Sequence, residues 1–448
     1  MFKPIRACLF HVLYLVVLPM VFFQDTSYAR LQLRVVAVDT LSEGNESRPI
    51  FSFVEDKIYL VTRRTKEVGT GVSNDFILRV YDLEFNDITQ QVMGDSMLIL
   101  VGSDSLEGFL TDHRMIYVDT HFYIIYETKR DDLNNAYLRK YTQDFASFEK
   151  CTLFENVHGT PGGGQSWQDV DMRTDDPGFG YANGFLYATH CLRNGYEIKD
   201  FKVFRVDTGD IANIDTFQID NPFKYNAEGF GQGMFNPMVV FYDSSYYLIS
   251  DTPKSDSQPP AKEGELVLLK YSQTWELTDT MSITSTPDTV EYRPTDMTLY
   301  NSDFWMVYCA YQGAPPRENW LNIYDADFNL RGKFKITGED DPDANHPVIG
   351  ISDSTHYIYV VYPCGSFQDG SAMIVAKIYG LKGDINGDGI INIIDVLLMV
   401  RYVLLEIDLT PDQFWRADCN GDGGIDVLDV VGIVNVILGV GTCLPVSR

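Results

Sequence analysis

The feature that most constrains the fold is a short, strand-like segment that recurs six times in the middle of the chain. Each copy opens with an aromatic residue that aliphatic residues follow, and successive copies lie 64, 64, 60, 58 and 54 residues apart. The copies start at Tyr59, Tyr123, Tyr187, Tyr247, Trp305 and Tyr359. Such a period is typical of architectures in which one supersecondary unit packs mainly on its neighbours. The repeat therefore predicts six similar sheets.

Two further signals recur with the same period and divide each repeat into strands. Residues that form tight β-hairpins precede every copy, at Glu55-Asp56, Asp119-Thr120, Asn183-Gly184, Asp243-Ser244, Asn301-Ser302 and Ser352-Asp353. An aromatic residue of a third strand-like segment follows every copy, at Tyr81, Tyr141, Phe204, Tyr271, Tyr324 and Tyr379. Helical periodicity is rare here, so the composition indicates an all-β domain.

A fourth strand-like segment, such as Lys333 to Ile336, completes five of the six repeats. The sixth repeat runs into Gly380 without one, whereas Leu31 to Val38 alternates like a strand and belongs to no repeat. Donation of this N-terminal strand to the last repeat would close a ring. We therefore predict a mainly β chain with a six-bladed β-propeller at residues 30–381. An irregular β-sandwich or two smaller β domains are the alternatives.

A second repeat lies near the C-terminal end of the chain, in residues 384–395 and 418–429. Oxygen-bearing side chains occupy positions 1, 3, 5, 9 and 12 of both segments, and glycine occupies position 6. This is the ligand spacing of an EF-hand-like calcium loop, to which the carbonyl group of position 7 adds an oxygen. The predicted ligands are Asp384, Asn386, Asp388, Ile390, Asn392 and Asp395, and Asp418, Asn420, Asp422, Gly424, Asp426 and Asp429. The spacing thus predicts two Ca²⁺ ions.

An apolar helical run follows each loop, from Val396 to Leu405 and from Val430 to Leu438. Between them, Thr410-Pro411-Asp412-Gln413 has the spacing of a capping box with proline at the first helical position. The duplicated pattern resembles the type I dockerin module. That resemblance implies a small all-α domain at residues 382–440, followed by a tail at 441–448.

Dockerins bind cohesin modules and tether their host protein to a scaffold, as in cellulosomes. The resemblance therefore implies a cohesin-type partner and an extracellular assembly. Cellulosomal dockerins often carry a Ser-Thr-like pair at loop positions 10 and 11, where this chain has Ile393-Ile394 and Val427-Leu428. This departure leaves the class of the partner open.

The first 29 residues have the pattern of a secretory signal peptide. Lys3 and Arg6 precede an apolar run from Ala7 to Phe23, and Ser27-Tyr28-Ala29 supplies small residues for cleavage. A membrane anchor is the alternative, which His11 and Pro19 disfavour. We expect a secreted protein without a membrane span after cleavage. The formal charge of −28 argues against nucleic acid or an anionic membrane as a partner.

Six cysteines remain after removal of the signal peptide, too few for a disulfide scaffold in a chain of this length. Cys309 and Cys364 end the second strands of neighbouring repeats, so we expect them to pair. Cys419 lies inside the second calcium loop, and a bond to Cys443 is the other pairing considered.

A ligand site is expected at the end of the central channel where the first strand of each blade begins. Polar residues gather at these starts, which are Arg48-Pro49, Asp112-His113-Arg114, Gln168-Asp169, Asn236-Pro237, Arg293-Pro294-Thr295-Asp296 and His346-Pro347. Glycoside hydrolysis needs two carboxyl groups that flank the scissile bond. The candidates are Asp112, Asp169, Asp296 and Glu291. Alternatively, these residues solvate the channel.

Two glycine-rich loops enter the same end, at 162–164 and 229–233. They are candidates for exposing Trp167, Tyr225 or Phe230 as sugar-stacking platforms, although ordinary loop packing explains them equally. The repeated aspartate box of sialidase propellers, the Gly-x-Ser-x-Gly elbow and zinc-helix motifs are absent from the sequence. Two hypotheses follow: a glycoside hydrolase that acts on polysaccharide, and a noncatalytic propeller that binds a glycan or a protein.

Overall fold

The computed structural model divides the chain into two compact units, Val35–Ile378 and a C-terminal unit that begins at Tyr379. Each is described separately. Within 34–443, the structure describes all residues except 43–45, 69–70, 96, 102–108, 131–132, 159–170, 173–177, 195–196, 220–224, 227–237, 253–264, 284–290, 301, 312–316, 338–343, 345, 353–356, 366–371, 380–381, 387–390 and 441–442. The predicted signal peptide lies outside the described residues. Across the described ranges, no helix has the length and hydropathy needed to cross a bilayer.

The first unit consists of antiparallel sheets that follow one another along the chain. Blade 1 holds β2 (Glu46–Val54), β3 (Lys57–Val68), β4 (Gly71–Asp82) and β5 (Leu98–Val101). Blade 2 holds β6 (Phe109–Val118), β7 (His121–Arg130), β8 (Leu133–Thr142) and β9 (Phe148–His158). Blade 3 holds β10 (Asp171–Met172), β11 (Gly178–Ala182), β12 (Phe185–Asn194), β13 (Glu197–Asp207), β14 (Ile214–Ile219) and β15 (Tyr225–Asn226).

The remaining blades repeat the four-stranded order. Blade 4 holds β16 (Met238–Tyr242), β17 (Ser245–Thr252), β18 (Glu265–Tyr271) and β19 (Leu277–Ser282). Blade 5 holds β20 (Glu291–Tyr300), β21 (Asp303–Tyr311), β22 (Glu318–Tyr324) and β23 (Leu330–Lys335). Blade 6 holds β24 (Val348–Ile351), β25 (Ile358–Cys364), β26 (Ala372–Tyr379) and β1 (Arg34–Ser42).

The innermost strands of the blades form a closed ring. β2 contacts β6, and contacts continue through β11, β16, β20 and β24 back to β2. Two glycines allow close approach: a Cβ atom at Gly180 would lie 2.3 Å from the Val239 carbonyl oxygen, and one at Gly350 would lie 2.4 Å from the Phe51 ring. The first unit is therefore a six-bladed β-propeller, which confirms the predicted fold.

The ring is closed by a strand from the N-terminal side. β1 pairs with β26 at the outer edge of blade 6, in the order β1-β26-β25-β24. The prediction that an N-terminal strand completes the sixth blade is confirmed. The described strand begins at Arg34 and runs to Ser42, four residues beyond the predicted end.

Tight turns join the first two strands of most blades. Glu55, Asp119, Asn183 and Asp243 all have positive φ angles, between 42° and 53°. Two-residue hairpins need this left-handed backbone so that their twist matches that of the strands. Blade 6 differs from the expected two-residue hairpin at Ser352-Asp353. There β24 ends at Ile351 and β25 begins only at Ile358, so six residues separate the two strands.

The recurrent tyrosines of four blades contact a second aromatic residue, which belongs to the next blade. In four blades the turn before the fourth strand places an aromatic residue in the left-handed region, at Phe85, Phe145, Trp275 and Phe328. Each ring packs on the recurrent tyrosine of the preceding blade, with centroid distances of 6.0 Å (Phe85–Tyr359), 6.3 Å (Phe145–Tyr59), 5.5 Å (Trp275–Tyr187) and 5.5 Å (Phe328–Tyr247). These contacts join neighbouring blades. The Phe85–Tyr359 contact joins the first blade to the last.

Helix α1 (Thr89–Met93) precedes β5 in the propeller, and the C-terminal unit contains α2 (Ile393–Val403), α3 (Pro411–Ala417) and α4 (Val427–Ile437). Both α2 and α4 begin three residues before the predicted apolar runs. Each of the three helices of this unit starts with a capping box, including Thr410 with Gln413 at the predicted position. Its core comprises residues of α2 and α4, together with Ile385, Ala417, Cys419 and Cys443.

The cysteines pair differently from the first expectation. Cys419 and Cys443 form a disulfide bond, whereas Cys309 and Cys364 are buried and are not bonded to each other. The backbone of Ala344 explains the failure of the Cys309–Cys364 pairing. Its carbonyl oxygen lies 3.8 Å from the Cys309 sulfur, and the same residue forms a β-bridge with Cys364.

Candidate functional site

The central channel contains a cavity of about 450 Å³ that all six innermost strands line. Most of its described lining is apolar, as at Met115, Met238 and Leu299. Among the described lining residues, only Arg114 and Asp296 are charged. They occupy one level of the ring, because Arg114 is paired with Ile125 and Asp296 with Val307, the equivalent positions of blades 2 and 5. Opposite charges thus face the channel from opposite blades.

Asp296 is the best-defined of the predicted catalytic residues. Its Oδ1 accepts a hydrogen bond from the Met297 amide at 2.9 Å, and its Oδ2 accepts one from the Ile349 amide at 2.9 Å. The second bond joins blade 5 to blade 6. Burial raises the pKa of the Asp296 carboxyl to about 6, although both amides and the Arg114 guanidinium oppose that rise. A carboxyl group in this state can hold or release a proton near neutral pH.

Asp112 lies at the same end of the channel and is buried. Its Oδ1 lies 3.3 Å from Nε of Arg48, which belongs to the neighbouring blade. The next residue, His113, is fully buried, with Nε2 3.3 Å from the Val61 carbonyl oxygen. Burial lowers the pKa of His113 to about 3, so the imidazole is neutral at physiological pH. Arg114 then donates a hydrogen bond to the His113 carbonyl group at 3.1 Å.

The structure leaves the other predicted channel residues open. Asp169 lies outside the described residues, as do Trp167, Phe230 and both glycine-rich loops. Glu291 begins β20, and its backbone is paired with Tyr311, but the placement of its side chain is not described. The side chain of Tyr225 is likewise outside the described part of the chain. Only Asp112 and Asp296 of the four predicted acids are therefore located as side chains.

Sequence reasoning missed a buried pair between blades 2 and 3. His190 Nδ1 lies 3.0 Å from Glu127 Oε1, and both side chains are almost completely buried. The rings of Phe154 and Phe204 pack edge-on against the imidazole. The signal was an ionisable residue inside each apolar second strand, but only the packing of the two blades reveals that the residues meet.

In the C-terminal unit, the second calcium loop is described in full. Asp429 is completely buried and accepts hydrogen bonds from the amides of Asn420 and Asp426 at 3.0 Å and 2.9 Å. Asp418 accepts bonds from the amides of Gly421 and Gly423. Hydrogen bonds from backbone amides thus hold both buried carboxylates at the loop.

The donor set therefore suits Ca²⁺, which takes six to eight oxygen ligands. In the described part of the chain, no three acidic, histidine or cysteine side chains form a ready-made metal cluster. We therefore expect Asp418, Asn420, Asp422, Asp426 and Asp429 to move together when the ion binds, with the Gly424 carbonyl group completing the shell.

The first loop is described at both ends, while residues 387–390, including the predicted ligands Asp388 and Ile390, lie outside the description. Asp395 accepts hydrogen bonds from the amides of Ile385, Asn386 and Asn392, as its counterpart Asp429 does in the second loop. Arg416, at the end of α3, donates to the Asp384 carbonyl group at 2.9 Å. A residue next to the second loop thus supports the first.

Comparison with known protein families identifies the family of the C-terminal unit. Residues 382–438 match the family model of the dockerin type I domain. The chain is thus a six-bladed β-propeller followed by a type I dockerin domain. Dockerins of this family bind calcium and dock to cohesins, and proteins that carry them are typically extracellular.

No curated protein matches the chain. Among solved structures, a thermostable family-43 glycoside hydrolase has 14% identity and a TM-score of 0.40, over 63% of this chain and 91% of that protein. An α-L-arabinofuranosidase from Lactobacillus brevis has 12% identity and a TM-score of 0.41, over 60% and 90%. A sialidase from Trypanosoma rangeli has 10% identity and a TM-score of 0.47, over 74% and 54%. Likenesses this distant carry no argument about activity.

Proposed function

We propose that this chain is a secreted protein that binds two Ca²⁺ ions through its dockerin, docks to a cohesin-type module, and acts on polysaccharide through its propeller. The observation that carries the docking role is the duplicated loop within the region that matches the dockerin family. Docking would hold the propeller in an extracellular assembly of the cellulosome type.

The two halves of the dockerin present equivalent apolar faces for this docking. Ile393, Ile394 and Leu397 on α2 occupy the same positions as Val427, Leu428 and Val431 on α4. All six side chains are large, apolar and between 42% and 61% exposed. The opposite sides of the helices fill the core, through residues such as Met399 and Ile433. Exposed apolar patches of this kind mark interaction surfaces.

These faces suit a partner whose docking surface is itself apolar. Hydroxyl groups at loop positions 10 and 11 would require hydrogen-bonding partners, whereas Ile, Val and Leu are stabilised by burial, at about 1.5–3 kcal/mol for a fully buried side chain. We therefore expect the full chain to bind cohesin modules that carry an apolar docking face, and to bind them only in the presence of calcium.

Binding of the full chain to a panel of immobilised cohesin modules tests this role. Replacement of Ile393-Ile394 by Lys-Lys together with Val427-Leu428 by Lys-Lys should abolish capture, because charged side chains remove both apolar faces. Substitution of Leu330→Ser, at an exposed position of the propeller, is the matched control. Capture without calcium, or capture that the four substitutions leave unchanged, would contradict the proposal.

For the propeller, we propose hydrolysis of O-glycosyl bonds at the end of the channel where Asp112 and Asp296 lie. Asp296 is the candidate acid, since burial raises its pKa into the range that a proton donor needs. Asp112, Asp169 and Glu291 are the candidates for the second carboxyl group. Apolar side chains such as Met115 and Leu299 line the cavity beside Asp296.

A noncatalytic binding propeller is the second candidate, and one observation favours it. Both carboxylate oxygens of Asp296 accept hydrogen bonds from backbone amides, and Asp112 forms an ion pair with Arg48. Each of the two located acids therefore already has a structural partner. Such carboxylates stabilise the blades whether or not catalysis occurs. Glycan recognition would then be the whole role of the propeller.

A screen of the full chain against plant, algal and animal polysaccharides separates the two candidates. Release of reducing sugars that Asp296→Asn abolishes, with an unchanged fold by circular dichroism, supports hydrolysis. Asp408→Asn, at an exposed position between the calcium loops, is the control and should keep full activity. Binding without release of sugar would leave the recognition role alone.

A further inference from the structure

Bulges at the starts of two neighbouring inner strands re-aim their side chains. The pairing of β2 with β3 shifts between Ser47 and Ile50, and the pairing of β6 with β7 shifts between Leu110 and His113. Arg48 and Asp112 lie in these two shifts. Bulges at the rim of a β structure commonly direct a side chain toward a site. Here they bring Arg48 and Asp112 together across the boundary between blades 1 and 2.

Backbone strain marks the same sector of the channel end. Arg48 has a φ of 53° and His346 a φ of 46°, and a proline follows each of them. The two residues stand at equivalent starts of the inner strands in blades 1 and 6, which are neighbours in the ring. A left-handed conformation is uncommon for a non-glycine residue, and at these two positions it lies at the start of an inner strand and not in a hairpin turn. Two polar residues with this backbone therefore stand at equivalent positions of neighbouring blades.

The sector carries charges of both signs. Asp112 lies beside Arg48, Asp296 faces Arg114 at the same level of the channel, and Arg63 also lies close enough to His113 to oppose its protonation. The described sector therefore offers both hydrogen-bond donors and acceptors. The chain as a whole carries a formal charge of −28, which repels a polyanion. This charge favours an uncharged ligand.

From this geometry we infer that the end of the channel recognises an uncharged glycan, with Arg48 and His346 donating hydrogen bonds to its ring hydroxyl groups. Asp112 acts as a positioning residue, since its buried Oδ1 lies 3.3 Å from Nε of Arg48. Planar, fixed donors suit the paired hydroxyl groups of a sugar ring. This inference rests on the proposed action of the propeller on polysaccharide and adds the class of glycan.

The test measures binding of the full chain, in calcium, to two soluble panels: arabinan, arabinoxylan, galactomannan and mixed-linkage glucan as uncharged glycans, and polygalacturonate, alginate and carrageenan as anionic ones. We expect binding to at least one uncharged glycan, with a Kd that changes less than about twofold between 50 and 500 mM NaCl, because a neutral ligand is not screened.

Two substitutions locate the site. Arg48→Lys keeps the positive charge beside Asp112 but removes the planar donor group, so we expect binding to weaken about tenfold or more. His346→Ala should weaken binding to a similar degree. His121→Ala is the matched control, because His121 lies in the hairpin at the opposite end of β6 and β7. Melting curves of all three variants confirm that the propeller is folded.

The outcomes separate this inference from the proposed function. Salt-dependent binding of anionic glycans alone, or full binding by Arg48→Lys and His346→Ala, would overturn the inference while leaving a polysaccharide-active propeller. Failure to bind or cleave any glycan in either panel would overturn both.

Discussion

The propeller and the dockerin bury their cores by different means. In the propeller, tyrosine, phenylalanine and aliphatic side chains pack between neighbouring sheets, and the recurrent tyrosines receive an aromatic ring from the next blade. In the dockerin, ten buried residues form the core that is described, and two loops rich in carboxylates lie against it. Domains of this size often need a metal ion or a disulfide for stability. We therefore expect calcium to stabilise the dockerin and to leave the stability of the propeller unchanged.

The largest effect should come from removing an aromatic ring between blades. Phe304 is completely buried, and its centroid lies 5.4 Å from that of Phe328 and 4.8 Å from that of Tyr247. We expect Phe304→Ala to lower the free energy of unfolding of the propeller by about 3–5 kcal/mol, through lost burial and the cavity left behind. Urea denaturation followed by tryptophan fluorescence measures this change.

The control for that variant is Leu330→Ala, at a position that is more than half exposed. It should change the same free energy by less than about 0.5 kcal/mol. Calcium affinity should be unaffected in both variants. A loss of calcium binding in Phe304→Ala would break the comparison, because the two folds would then depend on each other.

The next effect concerns the disulfide of the dockerin. The Cys419–Cys443 bond joins residues 24 apart in sequence and fixes the chain after α4 to the second calcium loop. We expect Cys443→Ser to destabilise the dockerin by about 2–4 kcal/mol, since the unfolded chain gains conformational freedom. Differential scanning calorimetry in saturating calcium would show a lower dockerin transition beside an unchanged propeller transition.

Cys151→Ser serves as its control, because Cys151 is a free, partly buried thiol of the propeller. That substitution should leave the dockerin transition in place. An unchanged dockerin transition in Cys443→Ser would show that calcium and the small core suffice without the bond.

A smaller effect is the pH dependence that Asp296 gives to the propeller. Its pKa is raised to about 6 in the folded state, from the usual value of about 3.9. The folded state therefore binds this proton more tightly than the unfolded state does. Stability from this group is present below about pH 4 and is lost as the pH rises through 6, by at most about 3 kcal/mol.

Denaturation of the wild type and Asp296→Asn at pH 4, 5, 6 and 7 isolates that contribution. As the pH rises, the free energy of unfolding of the wild type should fall relative to that of the variant, and the difference should level off above pH 7. A difference that stays constant across this range would show that burial does not perturb Asp296.

The sequence predicts more of the fold than of the site, and particular residues explain why. Tyr59 and its five counterparts recur at a regular spacing, and four of the six make the same aromatic contact with the next blade. The capping boxes of the dockerin helices are local, because each joins residues only three positions apart in the sequence. By contrast, the Arg48–Asp112 and Glu127–His190 pairs each join residues from two blades, about 60 positions apart. No local pattern reveals such pairs.

The disulfide shows the same limit. Cys309 and Cys364 occupy equivalent places in neighbouring blades, which made them the better pair by repeat position. The backbone at Ala344 contacts both of them, and the sequence contains no signal of this. Cys419 and Cys443 pair because the chain returns across α4, where Gly432 leaves room: a Cβ atom there would lie 2.7 Å from the Cys419 sulfur.

The most direct test of whether the propeller and the dockerin differ in their dependence on calcium is calorimetry of the full chain with and without EGTA. In excess calcium we expect two transitions, one for each unit. Chelation should remove the smaller one, because calcium at one hundred times its Kd contributes about 2.7 kcal/mol per site to a fold of marginal stability. The propeller transition should not move. A profile that EGTA leaves unchanged, or one in which the propeller transition falls with the other, would contradict the proposed calcium-dependent dockerin beside a calcium-independent propeller.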